Sequence, residues 1–339
     1  MLEVNILKNI ERKFISNYDL GDIIETEINK VGWGTNYIFK TKLGKFFVKI
    51  FELNKSNNNS LHEILICNYL REKGYPVSKF IKNRKGEYIS KLDFKKSFHV
   101  QEFIEGDIWK KNTAPNWLLE QGCNYIGRIH NELKQFDLNL RPSIKLLNDK
   151  NYHIKRIEGI INQIKKMQVS EDTKLFIEDL ENRRDVISNS EIIDMSKLTF
   201  VNGHSDYSVT QIITSNNNIT GIIDMTEVSK IPAIWELMRF YLNSIKERND
   251  GRICVNDLSW FLENYMNVCS LSKYDLLMMY KLNYLYMCQA VSVYEKFICT
   301  KDVKFANRAK LRINKINKFK NCQDDLQNII SKLNHYCSN

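Results

Sequence analysis

Proline and glycine are scarce in this chain, 4 and 13 among 339 residues. No Pro/Ser-rich stretch separates one part from another, so a compact chain without a tethered extra domain is expected. No uncharged apolar run approaches the roughly 20 residues that a membrane span needs. The opening MLEVNILKNIERKF carries charges every few positions, which excludes the apolar run of a signal peptide. The expectation is a soluble, cytoplasmic protein with no membrane partner. Eight cysteines are present, at 67, 123, 254, 269, 288, 299, 322 and 337, but none is paired as C-x-x-C and no histidine cluster accompanies them. A cysteine metal site and a disulfide framework are both set aside on that spacing. Most of these thiols sit in apolar, helix-like surroundings, where cysteine acts as a small hydrophobe. No internal repeat is visible.

Charge excludes less. Lysine and arginine number 50 against 40 aspartates and glutamates, a net charge of +10. Such an excess attracts any phosphate-bearing partner. Without a visible RNA or DNA module, it reads as a Lys-rich surface, and nucleic acid is not the expected partner. The basic stretch KDVKFANRAKLRINKINKFKN reads as a solvated face, with a polyanion contact as the minority reading.

The chain is long enough for two packed lobes. IIETEINKVGW is β-rich, and TNYIFKTKLGKFFVKIFEL gives two alternating runs about Lys42–Leu43–Gly44, a hairpin signal. NKSNNNS reads as a polar loop, after which Ser60 can cap a helix LHEILICNYLREKG that stops at Gly74. FIKNRKGEYISKL reads as a second hairpin turning at Lys85–Gly86, and SFHVQEFIEG as a buried strand entering a connector. Beyond about residue 107 the pattern becomes helical, in WLLEQGCNYIGRIHNELKQF, NYHIKRIEGIINQIKKM and EDTKLFIEDLENRRDVI. A strand-rich island interrupts it at 198–224, and long helices follow over most of 233–336. YDLLMMYKLNYLYMCQAVSVYEKF reads as helical core, and Trp235 and Trp260 are expected to pack. The expected class is α+β, with a β-rich region over 1–105 and a mainly helical one over 106–339.

The island holds the chemistry. His204 and Asp206 follow the apolar strand LTFV, and a second strand, ITGIID, ends in Asp224. A polar turn at Ser215–Asn218 would bring Asp206, Gln211 and Asp224 to one end of a hairpin. Phosphoryl transfer needs such a group: one carboxylate to align a hydroxyl and take its proton, and oxygen ligands to hold a divalent metal against phosphates.

His204–Ser205–Asp206, then Gln211, then Ile223–Asp224 resembles the H-G-D-x-x-x-x-N … I-D pattern of the aminoglycoside and choline phosphotransferase superfamily. Homoserine-kinase-like enzymes and the spore-coat kinase-like proteins share that pattern. The resemblance implies a two-lobed, protein-kinase-like fold. It implies that Asp206 is the catalytic base, that Gln211 and Asp224 are metal ligands for Mg2+, and that His204 is structural. Pro232 and Glu236 look like the head of the family's next helix, with Glu236 as an anchor. His130, in YIGRIHNEL, reads as a packed helix histidine. This sequence departs from the pattern twice. Ser205 stands where glycine is usual, which matters if positive φ is required. Gln211 replaces asparagine, so its amide oxygen sits one methylene further out, which can weaken a metal site.

The N-terminal third supplies a second set. Gly32 and Gly34 lie between two strands, where backbone N–H groups can approach phosphates; an ordinary turn explains them equally well. Lys49 sits on a strand between Val48 and Ile50, and Glu63 follows on the next helix. An exposed strand lysine is the plain reading of Lys49 alone. With Glu63 and the island in kinase order, a Lys–Glu pair that grips α/β-phosphates becomes the stronger one. VQEFIEG resembles the hinge strand, whose backbone at Glu102, Phe103 and Ile104 would face an adenine edge.

The function that follows is a phosphotransferase using ATP or GTP with Mg2+ on a hydroxyl of a small-molecule acceptor: an aminosugar, an amino alcohol, a sugar or an amino acid. The alternatives are a weak or inactive binding protein on the same fold, such as a spore-coat protein, and a nucleic-acid binder acting through the basic surface. Oligomeric state is not legible.

Overall fold

A computed structural model describes residues 2–29, 36–93, 95–136, 140–144, 147–246 and 253–333. In chain order the first elements are α1 (Leu2–Asn17), β1 (Glu25–Asn29), β2 (Asn36–Thr41), β3 (Gly44–Glu52), α2 (Leu53–Glu72), β4 (Phe80–Ile81), β5 (Ile89–Lys91), β6 (Lys96–Glu102), β7 (Asp107–Ile108) and α3 (Asn116–Leu133). There follow α4 (Lys150–Lys165), α5 (Glu171–Asn189), β8 (Phe200–Gly203), β9 (Ile212–Ser215), β10 (Asn218–Ile222), β11 (Ser229–Pro232) and α6 (Ala233–Ser244). The chain ends in α7 (Val255–Met266), α8 (Lys273–Gln289), α9 (Ser292–Thr300), α10 (Val303–Lys320) and α11 (Gln323–Leu333). A β-sheet N-terminal region thus precedes a helical C-terminal part. Two compact units divide the chain: Met1–Gly122 with Gln135–Asn139 and His204–Val228, and Cys123–Lys134 with Leu140–Gly203 and Ser229–Asn339.

The first unit is built on an antiparallel sheet in the order β1-β2-β3-β6-β4, with β5 also on β6. The β2–β3 hairpin turns at Lys42–Leu43 as its pattern requires, with Thr41 opposite Gly44 and Tyr37 opposite Val48. The stretch 80–91 does turn at Gly86, but β4 and β5 do not pair with each other. Each pairs with β6, β4 at Val100 and Gln101 and β5 at Ser97–His99. A central strand with so buried a row of side chains attracts both neighbours. The helix α1 went unanticipated: its many charges hide the fact that Ile10 and Phe14 share one face. Both are fully buried with Tyr18, Phe39, Phe46, Val48 and Phe98 in one cluster, and Tyr18 Oη lies 3.0 Å from Ser90 Oγ.

The start of α2 also departs from expectation. Helix begins at Leu53, so the NKSNNNS segment is helical and Ser60 is a buried interior residue rather than a cap. Its end is as expected. Gly74 takes φ +82°, its N–H bonds Arg71 O at 2.9 Å and the Tyr75 N–H bonds Leu70 O at 3.0 Å, which closes the last turn in a Schellman pattern.

In the second unit β8 pairs with β11 among helices that bury a polar core as well as an apolar one. His130 is fully buried, with Nδ1 2.8 Å from Tyr265 Oη and Nε2 2.8 Å from Glu236 Oε2. It is a packed histidine, and Glu236 anchors the head of α6. Arg183 donates to Asp179 Oδ2 at 2.6 Å, and Tyr294 Oη donates to the same oxygen at 2.5 Å. The Met/Tyr-rich stretch forms α8, which buries Leu276, Met279, Leu282 and Leu285. The basic stretch forms α10, burying Ala306, Ala309, Ile313, Ile316 and Phe319 while Lys304, Arg308 and Lys310 stay exposed. Trp235 is buried, but Trp260 is exposed, contrary to expectation. Among the described residues no helix is long and apolar enough to cross a membrane.

Because Phe14 is the point where α1 meets the sheet, Phe14→Ala is expected to lower unfolding stability by about 3–5 kcal/mol. Urea denaturation followed by circular dichroism measures this, and a loss under about 1 kcal/mol would show that α1 is not docked.

Candidate active site

The site residues described here belong to the first unit. The strand β3 carries Lys49 directly opposite His99 of β6. The helix α2 carries Glu63, fully buried. Asp224 follows β10 and opens the short 3-10 turn Met225–Glu227, which packs on α2. These parts converge on one ammonium group. Lys49 Nζ lies 2.6 Å from Asp224 Oδ1 and 3.4 Å from Glu63 Oε2, and it also donates to Thr226 Oγ1. The exposed-strand reading of Lys49 is thereby removed.

Electrostatics follow from burial and from these pairs. Burial alone would lower the Lys49 pKa, but the Glu63 and Asp224 carboxylates outweigh it and raise the value. Burial raises Glu63 above the ordinary carboxylate range despite Lys49. Asp224 is less enclosed, so Lys49 overcomes its desolvation and holds its carboxyl low. His99, fully buried beside the Lys49 charge, is held well below its ordinary value and stays neutral. The Gln101 amide lies 3.5 Å from His99 Nδ1, and His99 Nε2 stops 3.8 Å from Glu63 Oε2. Among the described residues Glu63 Oε1 and His99 Nε2 have no hydrogen-bond partner.

The hairpin forms at the expected turn. Asn218 pairs with Ser215 and Ile222 with Ile212. Asn216 and Asn217 both take positive φ, 49° and 58°, as tight two-residue turns require. The Ile223 N–H bonds Gln211 O at 3.0 Å, so Gln211 and Asp224 end on adjacent backbone. Gln211 Nε2 reaches Asp206 Oδ2 at 3.4 Å. His204 braces the loop: Nε2 bonds Ile223 O at 2.9 Å, and the Asp206 N–H donates to Nδ1 at 3.4 Å. The proton is therefore on Nε2, and the ring acts as a strut. Ser205 has φ +65°, the conformation for which glycine is the ordinary residue. A serine there carries about 1–2 kcal/mol of backbone strain.

Gly32 and Gly34 lie outside the described residues. In the connector, the Glu102 N–H bonds Lys79 O and the Phe103 N–H bonds Lys45 O, both at 2.9 Å. Glu102 pairs ionically with Lys79, and Lys45 Nζ sits 4.7 Å over the Phe103 ring. Ile104 lies closely against β10: a Cβ on Gly221 would come within 2.9 Å of Ile104 Cδ1.

Among the described residues no three His, Cys, Asp or Glu side chains cluster as a metal cage. Asp224 Oδ2 and Gln211 Oε1 are hard oxygen donors with no protein hydrogen bond among the described residues. Two such donors suit a cation like Mg2+, which keeps waters and phosphate oxygens in its shell.

Two members of the cluster were not singled out from sequence. Thr226 is marked only by a hydroxyl two residues after Asp224. His99 is marked only by being the one titratable side chain inside the apolar run SFHV.

The sequence model of APH, the phosphotransferase enzyme family, matches residues 26–257. A homoserine kinase from Caulobacter vibrioides is 27% identical over 132 residues, covering 36% of this chain and 41% of that protein. The chain therefore spans about two-fifths of the length of the curated relatives it matches. Among solved structures, an amicoumacin kinase in complex with AMP-PNP, Ca2+ and Ami superposes with a TM-score of 0.65 at 13% identity, over 91% of this chain and 92% of that one. A spectinomycin phosphotransferase in complex with ADP and spectinomycin does so at 0.61 and 14%, over 96% and 97%. The chain shares their kinase-like fold.

Neutral, buried His99 makes stability fall with acidity. Below its ordinary value of 6.5 the unfolded chain takes up a proton that the folded one refuses. The loss is up to about 1.4 kcal/mol per pH unit as pH falls, with full stability above that value. His99→Gln is expected to flatten this slope between about pH 6.5 and 5, measured by urea denaturation at stepped pH. Parallel slopes for the two proteins would refute the assignment.

Proposed function

This chain belongs to the APH phosphotransferase enzyme family, and on that premise we propose that it is a small-molecule kinase moving the terminal phosphoryl group of ATP to a hydroxyl of a polar acceptor. The observation that carries the reading is the ion pair between Lys49 and Asp224 at 2.6 Å, with Glu63 buried behind it. A lysine held between an interior carboxylate and an exposed one is poised for phosphate oxygens.

In this reading Lys49 turns from Asp224 to the α/β-phosphates and Glu63 keeps it aimed. Asp206 stands on the braced loop where an acceptor hydroxyl can give up its proton, which raises the oxygen's nucleophilicity as it attacks in line. A divalent cation on Asp224 and Gln211 would supply neutralisation of the phosphate charge. Lys49, Glu63 and Asp224 sum to one negative charge, so a polyphosphate needs that cation to settle there. In the connector, the N–H groups of Glu102 and Phe103 are occupied. The Glu102 carbonyl and the Ile104 N–H are assigned to the base, an acceptor and a donor that match the Watson–Crick edge of adenine. Gly32 and Gly34 are assigned to the phosphate-covering loop.

The relatives' names favour an amino alcohol, amino acid or aminosugar-like acceptor: homoserine in one, spectinomycin and amicoumacin in others. ADP and AMP-PNP in those complexes favour ATP over GTP. Gln211 supports a second outcome, binding without efficient turnover, because its amide rests on Asp206.

The test is a panel of hydroxyl acceptors with Mg2+ and either ATP or GTP, read as phosphorylated product by mass spectrometry. The expected result is transfer from ATP to at least one acceptor. Asp206→Asn should lower kcat by about 10²–10⁴-fold while the AMP-PNP Kd changes less than about threefold. Tight Mg-nucleotide binding without transfer to any acceptor would leave a binding protein, and no nucleotide binding at all would end the reading.

A further inference from the structure

Thr226 stands at the centre of the charged cluster, and nothing in the roles assigned above uses it. Its Oγ1 accepts from Lys49 Nζ. It is also 2.6 Å from Asp224 Oδ1 and 3.3 Å from Glu63 Oε2. A hydroxyl has one proton, so it can donate to only one of these carboxylates at a time. The shorter distance assigns that proton to Asp224 in this structure. Glu63 Oε2 is then left with Lys49 at 3.4 Å, and its other oxygen, Oε1, has no partner among the described residues. The interior carboxylate is the poorly satisfied one, although it is the more deeply buried. Such a group gains most from any donor that becomes free.

We propose that Thr226 is a positioning residue of the nucleotide site, whose hydroxyl turns its one hydrogen bond from Asp224 Oδ1 to Glu63 Oε2 when Asp224 Oδ1 is taken up in binding the metal–nucleotide. The inference rests on the kinase reading above. Only the O–H rotor has to turn, since the heavy-atom distance to Glu63 is already within hydrogen-bond range. No bond between heavy atoms is made or broken. The exchange has two effects. It withdraws a donor from Asp224 Oδ1, which leaves that oxygen available to a cation beside Oδ2, already without a protein hydrogen bond among the described residues. It also gives Glu63 a second donor as Lys49 turns toward phosphate, so the buried carboxylate is never left bare. Thr226 thereby links the metal side of the site to the lysine side, and the linkage should be visible as dependence on Mg2+.

The experiment is titration calorimetry of the full chain with AMP-PNP, once with Mg2+ and once in EDTA, for wild type, Thr226→Val and Thr226→Ser. Valine keeps the shape and removes the hydroxyl, while serine keeps the hydroxyl. The ratio of the two affinities measures how much the cation contributes. The expected result is that this ratio falls at least about tenfold in Thr226→Val, about 1.4 kcal/mol, and that Thr226→Ser stays within about twofold of wild type. A residue that merely filled space would leave the ratio unchanged and shift the melting temperature alone. An unchanged ratio in Thr226→Val, or a serine variant no better than the valine one, overturns the proposal while the kinase reading stands. A wild-type chain that binds AMP-PNP in neither condition overturns both. If Thr226→Val does not melt cooperatively, Thr226→Ala replaces it with the same expected fall.

Discussion

The ammonium of Lys49 is the fixed point of the N-terminal unit. It reaches an aspartate 175 residues away in sequence and a glutamate on the helix between them, and neither contact makes sense without the other. A fully buried carboxylate is intolerable without a cation, and a cation on a central strand is intolerable without a carboxylate. The sheet supplies the floor, since β3 can present Lys49 only if β6 lies beside it, and β6 brings a histidine that must stay neutral to avoid a second positive charge. The turn after β10 supplies the opposite wall. Removing the ammonium would leave two carboxylates facing each other, one of them fully buried.

The hairpin of β9 and β10 is positioned by different means. Its turn is set by two asparagines with positive φ, and its open end is set by a histidine whose ring bonds backbone at both nitrogens. The strain at Ser205 sits at the residue between that histidine and Asp206. Strained backbone persists where neighbouring contacts over-determine it, and here His204 provides them on one side. The glutamine at 211 ties the start of this hairpin to the loop before it, its amide resting on Asp206.

Much of this was legible before any coordinates. The pairing of Lys49 with Glu63 was legible only from the order of Lys49, Glu63 and the Asp206–Asp224 island along the chain, since Lys49 alone reads as an exposed strand lysine. The hairpin followed from alternation around a polar turn, and the stop of α2 from its glycine. The failures have physical causes. The asparagine-rich segment before Ser60 reads as loop by propensity, yet it forms the first turns of a long helix, where tertiary context overrides a weak preference. The two runs flanking Gly86 look like partners by proximity, but a buried central strand takes both. In α1, charges conceal a narrow apolar face. Thr226 was invisible because a lone hydroxyl has no pattern. Its importance comes from three neighbours gathered from remote parts of the chain.

Cys67 sits one helical turn beyond Glu63 on α2, entirely enclosed, and burial together with that carboxylate holds its thiol well above the ordinary range. Cys299 is exposed. A thiol-reactive dye should therefore label the two on separate clocks, Cys299 by simple encounter and Cys67 only when α2 lifts from the sheet. The slower clock would report the breathing of the helix that carries Glu63.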